Sequence, residues 1–170
     1  MPKTKFQGVI FGLIMSYSMA YGMEVYNIAI KMGFNLNRGG FSNMTNIVFW
    51  EAFKEAAYMG AIVFVISSLW GNRIGAGLSK KLLTPGKDSP FISMIARQGC
   101  TVMIMCPSMS LAASILFNII MAKQSIANLP AIWIGTVIKN FPMALCWNMF
   151  YAAPFTRLVF RLIFKDKKKD

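Results

Sequence analysis

Six carboxylates, 18 lysines and arginines, three cysteines and no histidine are what this 170-residue chain has for chemistry. Without histidine, a metal centre would rest on cysteine and carboxylate alone. Cys100 and Cys106 are six residues apart, so on one helix they point about 120° away from each other. Cys146 lies far along the chain. The sequence contains no Cys-x-x-Cys pair, no glycine-rich phosphate loop and no nucleophile elbow. We therefore expect no enzymatic activity, no metal and no cofactor, and read the thiols as small packing groups.

The more informative residues are ionisable and amide side chains set in apolar surroundings: Glu24, Asn27, Glu51, Glu55, Asn118, Lys139 and Asn140. Glu24 lies 19 residues beyond Lys5, Glu55 lies 18 before Arg73, and Lys139 lies 18 before Arg157. At 1.5 Å per residue each separation is about 27–28 Å, so three charges on three helices are expected at nearly one depth. Glu51 and Lys54 fall one turn farther out, with Glu51 and Glu55 on one face, and Lys31 ends its own segment. With Lys31, Lys54 and Lys139 against Glu24, Glu51 and Glu55, the set is neutral. Gly8, Gly12, Ser16 and Ala20 recur every four residues and lead to Glu24, a spacing that lets helices approach closely in lipid. Tyr17, Tyr21, Ser114, Asn118 and Asn140 could complete a polar ring. An unpaired carboxylate in hydrocarbon costs several kcal/mol. The residues are thus read either as an ion-pair network fixing helix register or as a polar pocket for a small molecule.

Such side chains must be carried by membrane helices. The chain is 56% apolar and only 14% charged, against roughly a quarter charged in soluble domains. That composition argues against a soluble enzyme, a disordered chain or a disulfide scaffold. Four apolar segments are visible, from Phe6 to Ile30, about Ala56 to Asn72, about Phe91 to Ala122 and about Ala131 to Phe155. Each supplies the roughly 20 residues a crossing helix needs. Turn-rich stretches, Gly33–Asn46, Thr84–Pro90 and Gln124–Pro130, separate them. Pro107 and Pro142 fall inside spans and are expected to bend them. Trp50, Trp70 and Trp133 are read as interface anchors, with Trp147 the exception. The expected fold is all-α, a four-helix transmembrane bundle.

Charge orients that bundle. With the two termini and the middle connection on one side, only Lys31, Arg38, Lys54, Lys123 and Lys139 lie opposite, leaving 13 of 18 cations together. Loops rich in Lys and Arg stay cytoplasmic, so both termini are expected inside, at the plasma or inner membrane. Lys3 and Lys5 before an apolar run ending at Ser18-Met19-Ala20 have the look of a cleavable leader. The apolar run continues past that point, so we expect the segment to be kept. Arg73–Leu83 and Arg157–Phe164 should extend the second and fourth helices as basic amphipathic ends on the inner surface, touching anionic lipid. The same reading assigns the Lys165–Asp170 tail to headgroups, not nucleic acid.

The halves resemble each other. Met15-Ser16-Tyr17-Ser18-Met19 aligns with Met105-Cys106-Pro107-Ser108-Met109, Asn27 falls near Asn118, and Gly71-Asn72-Arg73-Ile74 aligns with Phe155-Thr156-Arg157-Leu158. The expected division is a first two-helix repeat over 1–83, a connection over 84–90 and a second repeat over 91–170. Both repeats run in parallel, unlike the inverted repeats of many transporters.

The second half, with Met109-Ser110-Leu111, Phe141-Pro142-Met143-Ala144-Leu145, Ala153-Pro154 and Arg157-Leu158-Val159-Phe160-Arg161-Leu162, resembles the two-span bacterial membrane family known as domain of unknown function 2798. The first half resembles it more loosely, through Phe6, Met15-Ser16 and Gly71-Asn72-Arg73. The resemblance implies a bacterial membrane protein and assigns neither activity nor catalytic residues. Two functions stay open: a non-catalytic interaction subunit that pairs with itself or another membrane protein, and a carrier or binding protein for a polar small molecule.

Overall fold

The fold is that of a computed structural model, which describes residues 4–33, 44–83, 89–123 and 125–164. Among these residues every regular element is helical. Four helical stretches are long and apolar enough to cross a membrane: Lys5–Lys31, Asn46–Leu82, Ile92–Met121 and Ile126–Ile163. They comprise α1 (Lys5–Lys31), α2 (Asn46–Ile66), α3 (Asn72–Leu82), α4 (Pro90–Ala113), α5 (Leu129–Trp147) and α6 (Ala153–Ile163), joined within spans by π-helical segments at Ser67–Gly71, Ser114–Met121 and Asn148–Ala152. Most of the Gly33–Asn46 and Thr84–Pro90 stretches, and the whole Lys165–Asp170 tail, lie outside the described residues.

Local chemistry sets the visible ends. Thr4 caps α1, its Oγ1 accepting from the Gln7 amide at 3.2 Å, which meets one of the donors a helix start leaves open. Ser89 does the same for α4 through the Ile92 amide at 3.3 Å, and Pro90 occupies the first turn, where its missing N–H costs nothing. After Lys31 the chain leaves the helix through Gly33 at φ 88°, a left-handed conformation that glycine adopts without a Cβ clash. The second helix begins ten residues before the expected Ala56 and ends ten beyond Asn72. Hydropathy misses the first extension because it carries Glu51, Lys54 and Glu55, while the second is α3, the basic amphipathic end expected over Arg73–Leu83.

Pro107 and Pro142 lie inside α4 and α5. Departures from α winding occur in the three π segments and in a 3-10 turn at Ile126–Asn128. Two of them recur with a fixed register: residues 67, 71, 72 and 82, which bound the first π segment and α3, correspond to 148, 152, 153 and 163, each 81 residues later. Burial follows, with Met59, Ser67, Gly71, Gly75 and Ser79 buried in the second span and Asn140, Asn148, Ala152, Thr156 and Phe160 in the fourth. The expected alignment of Gly71-Asn72-Arg73-Ile74 with Phe155-Thr156-Arg157-Leu158 is therefore displaced by three residues. It would set buried Gly71 on exposed Phe155. In the odd-numbered spans an offset of 90 pairs three buried residues, Ser16, Ala20 and Glu24, with Cys106, Ser110 and Ser114, whereas buried Ile28 and Ala29 fall on half-buried Asn118 and Ile119.

The chain divides into two compact units, residues 1–64 with 149–170, and residues 65–148. In the first, Ile28 and Ala29 of α1 pack on Val48 and Ala52 of α2, with Tyr21, Val25 and Met44 around them. The Tyr17 ring covers Gly60, leaving no room for a side chain there. α6 also lies on α1, with the Phe11 and Phe160 rings edge to face at 5.5 Å and 79° and the Thr156 hydroxyl donating to Met15 Sδ at 3.4 Å. In the second unit α3 packs on α4, where a Cβ on Gly75 would stand 2.8 Å from Thr101 Cα, and Gly71 faces Met105. Trp70 donates to Ser108 Oγ at 3.3 Å. Trp133 donates to the Pro107 carbonyl at 2.9 Å. Both indoles, expected near the membrane interface, thus also tie neighbouring helices together. Trp133→Phe removes that bond, and a thermal melt in detergent should register a loss of about 1 kcal/mol.

The interior is built from small side chains. Alanine, serine, glycine, cysteine and threonine dominate the buried positions, and the largest fully buried side chains are Val48, Thr156 and Ser114. Large apolar groups point outward, among them Phe150 (72% exposed), Ile138 (69%) and Phe53 (63%). In water this arrangement would forfeit the hydrophobic term. In lipid, where tails are as apolar as leucine, helices associate through close packing of small residues, so the pattern fits a multi-pass membrane protein. Several hydroxyls and one amide turn back on their own helices. Thr101 donates to the Arg97 carbonyl, Ser108 to Ile104, Thr136 to Ile132 and Ser79 to Ala76. This is how polar side chains are satisfied without water.

Candidate functional site

The first unit holds the three carboxylates Glu24, Glu51 and Glu55. Glu24 is buried at 6% exposure, at the end of the stripe formed by Ser16 and Ala20. A Cβ added at Gly12 would stand 3.5 Å from the Phe64 ring, whereas one at Gly8 would meet nothing within 4 Å. Glu55 on α2 is half-buried. Both carboxylates lie close enough to the Tyr58 phenol to act on it electrostatically, so α1 and α2 bring Glu24, Glu55 and Tyr58 into one neighbourhood.

Glu51 stands apart in role. Its carboxylate accepts from Lys54 Nζ at 2.8 Å, with the two side chains 44% and 54% exposed. Lys54 also lies 5.8 Å from the Trp50 ring centroid, and Trp50 stacks on Phe53 at 6.2 Å. An exposed pair one turn apart contributes about 0–1 kcal/mol. Glu51→Gln should therefore leave the melting transition within about 0.5 kcal/mol of the parent. Asn27 is half-buried and its amide donates to the Met23 carbonyl at 2.9 Å, which commits that N–H group to its own helix.

Beside this neighbourhood is a groove of about 370 Å³ lined by Tyr17, Tyr21, Phe53, Ala56 and Ala57. Tyr17 closes one edge by donating its hydroxyl to the Ala57 carbonyl at 3.2 Å. The remaining walls are ring faces and methyl groups, which suit an apolar chain better than a polar solute.

Asn118, Lys139 and Asn140 belong to the second unit. Lys139 is exposed, Asn118 is half-buried within the π segment Ser114–Met121, and Asn140 is buried. This unit contains a feature that sequence reasoning reached only in part. Gln98 Oε1, Ser114 Oγ, Asn140 Oδ1 and Asn148 Oδ1 are buried oxygen atoms without a hydrogen-bond partner among the described residues. Each can accept a hydrogen bond, and an unmet buried acceptor costs about 1–3 kcal/mol. Asn140, Ala144 and Asn148 recur every four residues on one buried stripe of the fourth span. That spacing is the signal that could have drawn Asn148 into the candidate set.

Among the described residues no three cysteine or acidic side chains come together as a metal site would require. Cys100 and Cys106 are buried, Cys146 is exposed, and none is in a disulfide. Cys106 Sγ lies 4.0 Å from Ser110 Oγ.

No curated protein and no solved structure matches the chain. The one family match falls on the half whose resemblance was the looser, and takes in α1, α2 and α3 whole. Residues 4–84, just under half of the chain, are similar to the family described as Domain of unknown function (DUF2798).

Proposed function

We propose that the chain is a tandem pair of two-span repeats that serves as a non-catalytic interaction or accessory subunit in a cell membrane. Both termini then face the cytoplasm. The observation that carries this is the inverted distribution of side chains: small and polar groups are buried, while large apolar groups such as Ile134, Ile138, Phe150, Tyr151 and Phe155 are exposed along the fourth span. Such a surface suits contact with lipid or with helices of a partner. The duplication is supported by burial that repeats at an offset of 81 in the even spans and, at three positions, at 90 in the odd ones. Anionic headgroups at the inner face are the natural neighbours of Arg73, Lys80 and Lys81 on α3 and Arg161 on α6, all exposed on elements whose opposite faces are buried.

A second reading has one observation in its favour. Glu24 is buried and shares Tyr58 with Glu55, which fits an outward-facing polar pocket lined by Glu24 and Glu55 in a carrier or binding protein. The apolar walls of the neighbouring groove favour the accessory role.

Affinity capture of the tagged full-length chain from native membranes in mild detergent tests the proposal. A second membrane protein, or a second copy, should co-purify in fixed ratio. A solitary monomer whose melting temperature rises with one class of polar solute would transfer the assignment to the carrier reading.

A further inference from the structure

The apolar groove between α1 and α2 runs into a polar cluster near the start of α2. Trp50, Phe53 and Ala57 follow one another at i, i+3 and i+7, so they lie along one side of that helix. Phe53 and Ala57 line the groove, together with Ala56, Tyr17 and Tyr21. Trp50 stacks on Phe53 at 6.2 Å and has Lys54 over its ring at 5.8 Å. Lys54 in turn donates to the Glu51 carboxylate at 2.8 Å. Glu55 is two residues from Phe53, about 200° around the helix, and so falls on the other side.

The order of these groups along α2 is informative. The helix begins at Asn46, so Trp50, Glu51 and Lys54 lie near its start, where indoles and cations settle at headgroup level. Ala56 and Ala57 follow one turn deeper than Phe53. The deep end is closed, because Tyr17 donates its hydroxyl to the Ala57 carbonyl at 3.2 Å and its ring covers Gly60. From the helix start inward the site is thus an ion pair, an aromatic collar and an apolar slot. A phospholipid presents its own parts in that order. At about 370 Å³ the slot is at the small end of ligand sites, roughly 300–1,000 Å³, and takes part of one acyl chain.

Charge selects among phospholipids. Both members of the Lys54–Glu51 pair are about half-exposed, and pairs of that kind hold weakly, so this one opens at small cost. A phosphate then meets the Lys54 ammonium and a headgroup amine meets the Glu51 carboxylate, and one ion pair becomes two. A headgroup with a phosphate and no amine leaves Glu51 beside a like charge.

We propose that α1 and α2 hold one zwitterionic phospholipid, with its phosphate on Lys54, its amine on Glu51 and the start of one acyl chain in the groove. The proposal needs only that the chain lies in a membrane, so it stands whichever of the two functional readings fails.

The test is native mass spectrometry of the full chain in mild detergent, titrated with dioleoylphosphatidylethanolamine. The parent should retain one lipid per chain. Ala57→Trp fills the groove from an exposed position, and Phe53→Ala removes an exposed wall. Each should weaken binding at least about tenfold, the change that 1.4 kcal/mol produces. The two substitutions alter the groove in opposite directions, so one packing defect does not account for both losses. Ile138→Trp, exposed in the other unit, should bind as the parent does. Dioleoylphosphatidylglycerol has the same chains and no amine, and should bind the parent about threefold more weakly, as one exposed ion pair allows. Glu51→Gln should erase that preference. Retention of the lipid by both groove variants overturns the proposal. Equal binding of the two lipids by the parent overturns it as well, since that outcome leaves an adventitious acyl chain only.

Discussion

Gly75→Ala is expected to destabilise the protein by about 1–3 kcal/mol, the usual cost of forcing an extra carbon into a filled interior, while Gly77→Ala leaves it unchanged or slightly more stable. The two glycines are two residues apart in α3 and share its helical conformation. At Gly75 an added Cβ would stand 2.8 Å from the Thr101 Cα and 3.2 Å from its amide nitrogen. Those are backbone atoms of α4, so relief requires moving a helix. At Gly77 nothing lies within 4 Å, and alanine gains up to about 1 kcal/mol of helix propensity over glycine. Thermal melts or SDS titrations of the two variants in one detergent would measure the difference. Equal behaviour would mean that α3 does not lie on α4 as described.

Glu24→Gln should be the most damaging substitution among the polar residues. Gln keeps the volume and removes the charge, so the loss should fall in the range of a hydrogen bond to a charged group, about 1.5–3 kcal/mol. Glu55→Gln, at a half-buried position, should cost less. Under the accessory reading the Glu24→Gln deficit is the same whatever solute is added. Under the carrier reading the variant melts near the parent without solute and loses the stabilisation that a polar solute gives the parent. Differential scanning of both variants with a panel of amino acids, sugars and inorganic ions separates these outcomes.

Much of this molecule can be read before folding it. Four apolar segments forecast four helices because hydrocarbon leaves the backbone no other way to satisfy itself. The four-residue spacing of Ser16, Ala20 and Glu24 forecast one buried stripe, since all three are buried. Gly8 broke the pattern because a row of fours drifts about 40° per step around a helix, and by Gly8 the row has turned to open space. Burial of Glu24 accords with the cost of a carboxylate in lipid, while its neighbour Tyr58 is not singled out by the sequence. The expected convergence of Lys139 with Glu24 and Glu55 rests on helix depth alone.

What sequence did not reveal is mostly tertiary. The π segments have no local signature: one precedes Pro154 by two residues, one ends at a glycine, and one contains neither residue. The three-residue shift in repeat register arose because identity of a few letters outweighed burial, which only coordinates supply. Trp70 and Trp133 are read as interface anchors because their positions lie near hydropathy boundaries. The partners of their indole donors, Ser108 and the Pro107 carbonyl, lie on another helix and could not be read from position alone. The packing of α6 on α1 is invisible to any window along the chain, because it joins positions as far apart as Met15 and Thr156.

The claim beneath all of this is that the chain crosses the bilayer four times and returns to the side from which it started. Single cysteines at Thr4, Met32, Leu83, Lys123 and Phe164, in an otherwise cysteine-free protein in sealed cells, test it with a membrane-impermeant thiol reagent. The account predicts that Met32 and Lys123 positions react from outside, and that Thr4, Leu83 and Phe164 positions react only after permeabilisation. Labelling of the Leu83 position from the side opposite to Thr4 would contradict it.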